Sequence, residues 1–195
     1  MLFRSLPRIA EDHEYLSMFL NEARLTVQLA HPNIAQVFDL GRVGGDYYIA
    51  MEYVPGEDLR TVAARGGLPI PLVALVMARI CDALDYAHRK ADGAGRPLGI
   101  VHRDVSPDNC LVTFDGEVKL IDFGVAKSGP GSGTHGGTLM GTPAYMSPEQ
   151  VLGLPVDARS DLFSVGVVLH ELLCGRALFA RESDFATLKA VCESS

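Results

Sequence analysis

Two acidic residues and one amide near the middle of the chain have the types and spacing of a site that handles phosphate. Asp104 precedes Asn109 by five residues, and Asp122 lies thirteen residues after Asn109. Amide and carboxylate oxygens are suitable ligands for Mg²⁺, which usually takes one or two of them and completes its shell with water and phosphate oxygens. The carboxylate of Asp104 could orient an incoming hydroxyl group or accept its proton. The set predicts phosphoryl transfer from a nucleotide.

A short hairpin is predicted to bring the two metal ligands together. Residues 110–113 and 117–121 have the composition of strands, and the intervening Asp115-Gly116 is a strong signal for a two-residue turn. With that turn, Asn109 faces Asp122 at the open end of the hairpin, where opposed Cβ atoms lie roughly 4.5–5.5 Å apart. A longer turn would shift this register by a residue or two.

These motifs resemble those of the eukaryotic-type (Hanks-type) protein serine/threonine kinases, in a bacterial-like form. The matching segments are His-Arg-Asp at 102–104, Asp-Phe-Gly at 122–124, and Gly-Thr-Pro-Ala-Tyr-Met-Ser-Pro-Glu at 141–149. The resemblance covers about residues 10–190 and is specific in combination. It implies that Asp104 is the catalytic residue that orients the substrate hydroxyl, that Asn109 and Asp122 hold Mg²⁺, and that Asp161 braces the catalytic loop. Capping of its own helix is the alternative role for Asp161.

The same resemblance implies where ATP binds. Residues 51–54 resemble the gatekeeper and hinge, with Met51 at the gatekeeper position and the backbone of Glu52 and Val54 holding adenine. Leu111 is a further expected cofactor-binding residue. Glu22 would pair with an ATP-binding lysine. Without the resemblance, the preferred interpretation of Glu22 is an ordinary solvent-exposed glutamate on a helix.

The chain also departs from the family pattern. Serine/threonine kinases commonly carry lysine at the position of Ser106, where it contacts the transferred phosphate, so Ser106 is expected to act there without a charge. The glycine-rich loop and the lysine strand should precede the first helix, and Phe3 or Arg4 is expected in the place of the lysine. The last helices of the large lobe, with the arginine that usually pairs with the Glu149 equivalent, are also missing.

These departures keep three functions open. The first is a protein serine/threonine kinase that uses ATP and Mg²⁺ on a protein substrate, and Thr142 favours serine or threonine over tyrosine as the acceptor. The second is an inactive truncated kinase or pseudokinase that acts as a binding or regulatory module. The third, a kinase-fold enzyme acting on small molecules, is less favoured because residues 141–149 resemble a platform for a peptide substrate.

The elements needed to position the site predict an α+β, two-lobed, protein-kinase-like fold. An amphipathic helix is predicted over 12–30, and strands over 36–42 and 46–53 are joined through Gly44-Gly45. The break at Pro55-Gly56 divides a partial small β lobe (residues 1–54) from a mostly helical large lobe (residues 55–195). The apolar stripe of the 12–30 helix consists of Leu16, Phe19 or Leu20, Ala23 and Val27.

In the large lobe, a helix is predicted over 70–89 and a second one, apolar nearly all round, between Ser160 as N-cap and Gly175 after its C-terminus. The glycine-rich residues 126–141 are expected to form a regulatory segment. Thr134 and Thr138 are its preferred phosphorylation sites, and Arg103 could bind the added phosphate. The buried face of the first helix is expected to contain Leu72, Val76, Ile80, Ala83, Leu84 and Ala87.

Composition restricts the partners and the compartment. The 195 residues carry a net charge of −7 with a pI near 5.3, which argues against non-specific nucleic-acid binding. Four widely spaced cysteines predict free thiols in a reducing cytoplasm. The longest apolar run, 162–173, is interrupted by His170 and Glu171, so no membrane segment is expected. The sequence leaves the oligomeric state open.

Overall fold

The computed structural model describes residues 2–5, 24–44, 46–123 and 142–193. Three antiparallel strands form the first sheet in the order β1-β3-β2, namely β1 (Leu2–Ser5), β2 (Val37–Val43) and β3 (Asp46–Met51). Gly44, at a φ of +62°, allows the tight turn between β2 and β3. The two strands predicted here are therefore confirmed.

Strand β1 lies where the lysine strand was expected, beside the strand that leads into the hinge. Phe3 pairs with Ala50 and Arg4 pairs with Ile49. The side chains of residues 2–5 are outside the described part of the chain, so which of Phe3 and Arg4 replaces the lysine stays a prediction.

The second sheet contains β4 (Gly56–Asp58), β5 (Cys110–Thr113) and β6 (Val118–Leu120). Its β5–β6 hairpin differs from the prediction by one residue, because Cys110 pairs with Leu120. The turn has three residues, 114–116, and ends on Gly116 with a φ of +86°, as in a hairpin with a left-handed glycine bulge. Asn109 therefore faces Ile121, whose N–H donates to the Asn109 carbonyl at 3.0 Å, and the predicted pairing of Asn109 with Asp122 is wrong.

Besides the helical residues 24–27, the described part of the chain has five α-helices: α1 (Leu59–Ala64), α2 (Ile70–His88), α3 (Pro148–Val151), α4 (Ala158–Cys174) and α5 (Asp184–Glu193). Helix α2 confirms the prediction over 70–89, but its buried face begins at Val73 and leaves Leu72 about half exposed. The N-cap of α4 is Asp157, whose carboxylate accepts the Arg159 N–H at 2.9 Å. Ser160 was wrongly predicted as this cap.

The C-terminus of α4 is as predicted, because Gly175 follows it in the left-handed conformation at a φ of +68°. The helix is less buried than predicted, since Leu162 and Leu173 are about half exposed. No helix in the described residues is long and apolar enough to cross a bilayer. Cys81, Cys110 and Cys174 are free thiols, as predicted.

Two apolar cores hold these elements together. The larger packs α2 against α4 and the second sheet, and it takes in Leu29 and Ile34 from the segment before β2. A small core of Ala35, Val37, Ile49 and Met51 lies under the first sheet.

Several predictions fall outside the described residues. Of the helix predicted over 12–30, residues 24–27 are helical, and Val27 is partly exposed. Glu22, Thr134 and Thr138 lie outside the described residues, as does most of the glycine-rich segment.

Candidate active site

The first element of the site is the loop 101–109, which is anchored by His102. This side chain is fully buried, and its ring lies 4.5 Å from the ring of Phe123. Its Nδ1 accepts the Asp104 N–H at 3.2 Å, and its Nε2 lies 3.0 Å from the Ile121 carbonyl oxygen. Because Nδ1 accepts, Nε2 carries the proton in the neutral ring and donates to Ile121. His102 is thus a structural member of the loop.

The carboxylate of Asp161 fixes the backbone of the same loop. Oδ2 accepts the His102 N–H and Oδ1 accepts the Arg103 N–H, both at 2.8 Å. His88 Nε2 lies 2.7 Å from Oδ2. Asp161 is only 1% exposed, and the cap of its helix is supplied by another residue, so bracing of the loop is its main role.

Asp104 and Asn109 come together at the end of this loop. The Asn109 side-chain amide donates to the Asp104 carbonyl oxygen at 2.8 Å and to its carboxylate Oδ2 at 2.7 Å. Asn109 is nearly buried, and its amide oxygen remains as a potential metal ligand. Asp122 lies one residue beyond the partner of Asn109, on a left-handed backbone at a φ of +60°. The structure therefore brings the predicted catalytic residue and one predicted metal ligand into contact, and it places the other, Asp122, two residues after the end of β6.

The hinge is tied to the hairpin by an ion pair that sequence reasoning missed. Glu52 Oε1 lies 2.8 Å from Lys119 Nζ, and Oε2 accepts the Gln36 N–H at 3.0 Å. Burial alone would raise the pKa of Glu52, but the hydrogen bonds from Lys119 and Gln36 and the positive charge of Lys119 outweigh it and lower that pKa. We call the Glu52–Lys119 contact the hinge ion pair. Its only sequence signal is a lysine in a short, otherwise apolar strand.

The predicted adenine-binding residues lie near this ion pair. Met51 is buried in the small core, and the half-buried Val54 packs against the same core. Leu111 is half buried and pairs with Lys119 in the hairpin. The backbone N–H of Glu52 donates to the Gln36 carbonyl at 2.8 Å, which fixes this end of the predicted hinge.

The comparisons with known proteins agree with this geometry. Residues 5–194 match the protein kinase domain family. The chain belongs to this family. It is 43% identical over 194 residues to tyrosine-protein kinase MasK of Myxococcus xanthus, covering 96% of this chain and 30% of that protein. It is 39% identical over 178 residues to serine/threonine-protein kinase PknL of Mycobacterium tuberculosis, covering 90% and 43%.

The PknI kinase domain of Mycobacterium tuberculosis has the same fold, with a TM-score of 0.72 at 31% identity, covering 93% of this chain and 66% of that one. The fold expected from the sequence is therefore confirmed. The chain spans less than half the length of the two named protein relatives.

Within this kinase domain, the uncharged Ser106 occupies the position at which serine/threonine kinases commonly carry lysine. Ser106 is fully buried, and its hydroxyl has no hydrogen-bond partner in the described part of the chain. Its carbonyl accepts the Asn109 N–H at 3.1 Å, which closes the 3₁₀ turn Pro107–Asn109. A buried hydroxyl is rarely left without a partner, so this one is a candidate contact for a ligand.

A second charged cluster beside Asn109 was also missed from the sequence. Arg60 on α1 forms hydrogen bonds to both carboxylate oxygens of Asp108, and Tyr145 donates its hydroxyl hydrogen to Glu171. The hydrogen bond from Arg60, opposed by burial, lowers the pKa of Asp108, whereas burial and then the Glu171 contact raise the pKa of Tyr145. No local pattern signals this cluster, because its members are far apart in sequence.

Proposed function

We propose that this kinase domain transfers the γ-phosphoryl group of ATP to a serine or threonine hydroxyl of a protein. The observation that carries the proposal is the contact between the Asp104 carboxylate and the Asn109 amide at 2.7 Å. That contact sits in a loop whose backbone is fixed by the buried Asp161. Catalysis of phosphoryl transfer depends mainly on positioning and electrostatic stabilisation, and both require such a rigid loop.

The residues present fit ATP and Mg²⁺. The backbone N–H of Val54 and the carbonyl of Glu52 would offer one donor and one acceptor to the adenine edge, with the half-buried Leu111 as an apolar neighbour. Asn109 and Asp122 supply the hard oxygen ligands that Mg²⁺ prefers. When bound, Mg²⁺ neutralises negative charge on the phosphate oxygens.

Asp104 has the role of orienting the acceptor. Its carboxylate would accept the hydroxyl proton as the hydroxyl oxygen forms a bond to the γ-phosphorus, and the bond to the β,γ-bridging oxygen would break to release ADP. Ser106 would donate a hydrogen bond to the transferred phosphate in place of a lysine charge. We expect Ser106→Ala to lower kcat several-fold without preventing ATP binding.

The direct test is phosphate incorporation by the 195-residue chain from γ-labelled ATP and Mg²⁺, with casein and the chain itself as acceptors. Asp104→Asn should lower the rate by roughly 10²–10⁴-fold, the usual contribution of a positioned acid–base group. ATP binding should persist in that variant, measured as a rise in melting temperature on adding Mg²⁺ and ATP. Unchanged incorporation in Asp104→Asn would refute the assignment.

The same experiment separates the alternatives. Phosphoamino-acid analysis of the product identifies the acceptor, and phosphotyrosine would favour the activity named for the Myxococcus xanthus relative. A chain that shows the thermal shift with ATP but no transfer would be a nucleotide-binding regulatory module. We place the reaction in the cytoplasm because Cys81, Cys110 and Cys174 are free thiols, as is usual in a reducing compartment.

A further inference from the structure

The side chain of Arg60 grips the turn that carries Asn109. Its Nε and Nη2 each donate to a different carboxylate oxygen of Asp108, both at 2.6 Å. Asp108 is the middle residue of the 3₁₀ turn Pro107–Asn109. A contact that fixes Asp108 therefore also restricts the position of Asn109 and, through it, the carboxylate of Asp104.

Arg60 also contacts the two other elements that meet at this point. Its Nη2 donates to the Tyr145 hydroxyl at 3.3 Å, and its guanidinium carbon lies 5.9 Å from the centre of the Tyr145 ring. Nη1 lies 3.8 Å from a carboxylate oxygen of Glu171 on α4. We call Arg60, Asp108, Tyr145 and Glu171 the Arg60 clamp.

Helix α1, which carries Arg60, is connected through β4 to the β5–β6 hairpin beside the proposed metal ligands. Helix α1 begins at its N-cap Asp58, whose carboxylate accepts the Thr61 N–H at 2.7 Å. Asp58 pairs with Leu111 in the second sheet. Arg60 thus lies on a short helix that directly follows β4, the strand paired with the hairpin whose entry turn Arg60 holds.

This geometry is stronger than that of an ordinary surface ion pair. Exposed pairs contribute little because two flexible side chains must be ordered in water. In the clamp, the planar guanidinium meets the carboxylate through two parallel hydrogen bonds, which fixes both distance and orientation. Asp108 and Arg60 are about half exposed, so the expected effect lies in geometry rather than in a large contribution to stability.

We propose that Arg60 is a positioning residue for phosphoryl transfer. It holds the turn 107–109 so that Asn109 can bind metal while it orients Asp104, and it links this turn to the segment around Tyr145. The proposal rests on the proposed function, because the metal site and the reaction are those proposed above. Lysine keeps the charge of Arg60 but cannot form the two parallel hydrogen bonds.

The test compares the full chain with Arg60→Ala, Arg60→Lys, Asp108→Ala and the double Ala variant. The matched control is Arg65→Ala, which removes an exposed arginine on the border of the same helix, 2.9 Å from Glu57 and away from the loop. We expect Arg60→Ala and Arg60→Lys to lower kcat and to raise the half-saturating Mg²⁺ concentration by roughly 10-fold or more, as for other outer-shell partners of metal sites. The double variant should be no worse than Arg60→Ala alone, and the control should match wild type.

A second readout does not require turnover, namely Mn²⁺ affinity in the presence of a non-hydrolysable ATP analogue. Loss of that affinity in Arg60→Lys, with a melting temperature like that of the control, supports the clamp even if Arg60→Ala is poorly folded. Unchanged Mn²⁺ affinity and Mg²⁺ dependence in Arg60→Lys would overturn it, as would fully additive effects in the double variant. A wild-type chain that binds Mn²⁺ and the analogue but transfers no phosphate would contradict the proposed function and leave the clamp to be judged on affinity.

Discussion

Replacing Asp161 with asparagine tests whether the buried carboxylate holds the catalytic loop in place. The side chain keeps its shape, but one oxygen becomes an NH₂ group that can only donate. In the wild type, Oδ1 accepts from Arg103 N–H, whereas Oδ2 accepts from His102 N–H and lies within hydrogen-bond distance of His88 Nε2. In either orientation of the amide, at least one loop N–H faces a donor in the protein interior.

The loss of folding stability in Asp161→Asn can be estimated from these three contacts. The more favourable amide orientation keeps the oxygen at Oδ2 and loses the hydrogen bond from the Arg103 N–H. A buried donor that loses a charged partner costs about 1.5–3 kcal/mol, and the two remaining bonds lose their charge assistance. A total of about 2–4 kcal/mol corresponds to a fall in melting temperature on the order of 10 °C for a domain of this length.

Activity should fall as well, because Asp104 follows directly on the two residues that lose their anchor. A displacement of about 1 Å in a positioning group can cost on the order of 10²-fold in rate. We expect kcat of Asp161→Asn to fall by roughly 10–100-fold, with a smaller change in KM for ATP. Amide hydrogen exchange over residues 102–104 should also become faster, which reports on the loop itself.

The measurements are thermal unfolding by circular dichroism, steady-state kinetics and hydrogen exchange of the 195-residue chain. The control is Asp82→Asn on α2, where an exposed carboxylate pairs with Arg79 at 3.3 Å and its removal should change stability by less than about 0.5 kcal/mol. A melting temperature for Asp161→Asn close to that of Asp82→Asn, with unchanged exchange in the loop, would show that the carboxylate is not the anchor.

Three further predictions concern the surroundings of the site. The folded-state pKa of Glu52 lies below its usual 4.5, so the hinge ion pair stabilises the fold above pH 4.5 and loses this effect as the pH falls through the folded pKa. The melting temperatures of wild type and Glu52→Gln should therefore differ at neutral pH and converge in acid as Glu52 becomes protonated; a difference that stays constant throughout the acid range would contradict this. In the native chain, the exposed Cys174 should react with Ellman's reagent, whereas Cys110 should react only on unfolding, because burial raises the pKa of its thiol; equal rates would refute the burial argument. Gly56→Ala should destabilise the fold by about 1–3 kcal/mol, because its Cβ would lie 2.2 Å from a carbonyl oxygen of the neighbouring strand, whereas Gly93→Ala meets no atom within 4 Å and should be nearly neutral in thermal unfolding.

Local patterns predicted the elements of the site but not the exact register between them. The Asp115-Gly116 signal located the hairpin correctly, yet it suits both a two-residue turn and a three-residue turn that ends on a left-handed glycine. The structure has the second, with Gly116 at a φ of +86°. The difference depends on a single backbone conformation, which composition does not determine.

The predicted helices were likewise located correctly, but their buried faces and N-caps were not predicted to the residue. The period of apolar residues located α2 well, but the predicted stripe began at Leu72, which is about half exposed. The buried residue at this end of the helix is the neighbouring Val73, which is 1% exposed. The N-cap of α4 was missed by three residues because Asp157 and Ser160 are both good capping residues.

Long-range polar contacts were the least predictable part of the site. The Arg60–Asp108 pair joins residues 48 positions apart, and the hinge ion pair joins residues still further apart. A sequence with many charged residues does not show which of them meet, since that depends on how the sheets and helices pack. The family resemblance supplied the bracing role of Asp161, but it supplied neither of these ion pairs.

Two residues of the candidate site have a strained backbone. Among the described residues, Arg103 and Asp122 are the non-glycine residues with positive φ, at 66° and 60°. This conformation costs about 1–2 kcal/mol for a residue that has a Cβ. At Arg103 this conformation is fixed by two hydrogen bonds. The Arg103 N–H donates to Asp161, and the Arg103 carbonyl accepts from the Gln150 side chain at 2.8 Å. Since glycine would adopt the same backbone at lower cost, strain retained immediately before Asp104 and at Asp122 itself is most simply explained by the need to position these two carboxylates.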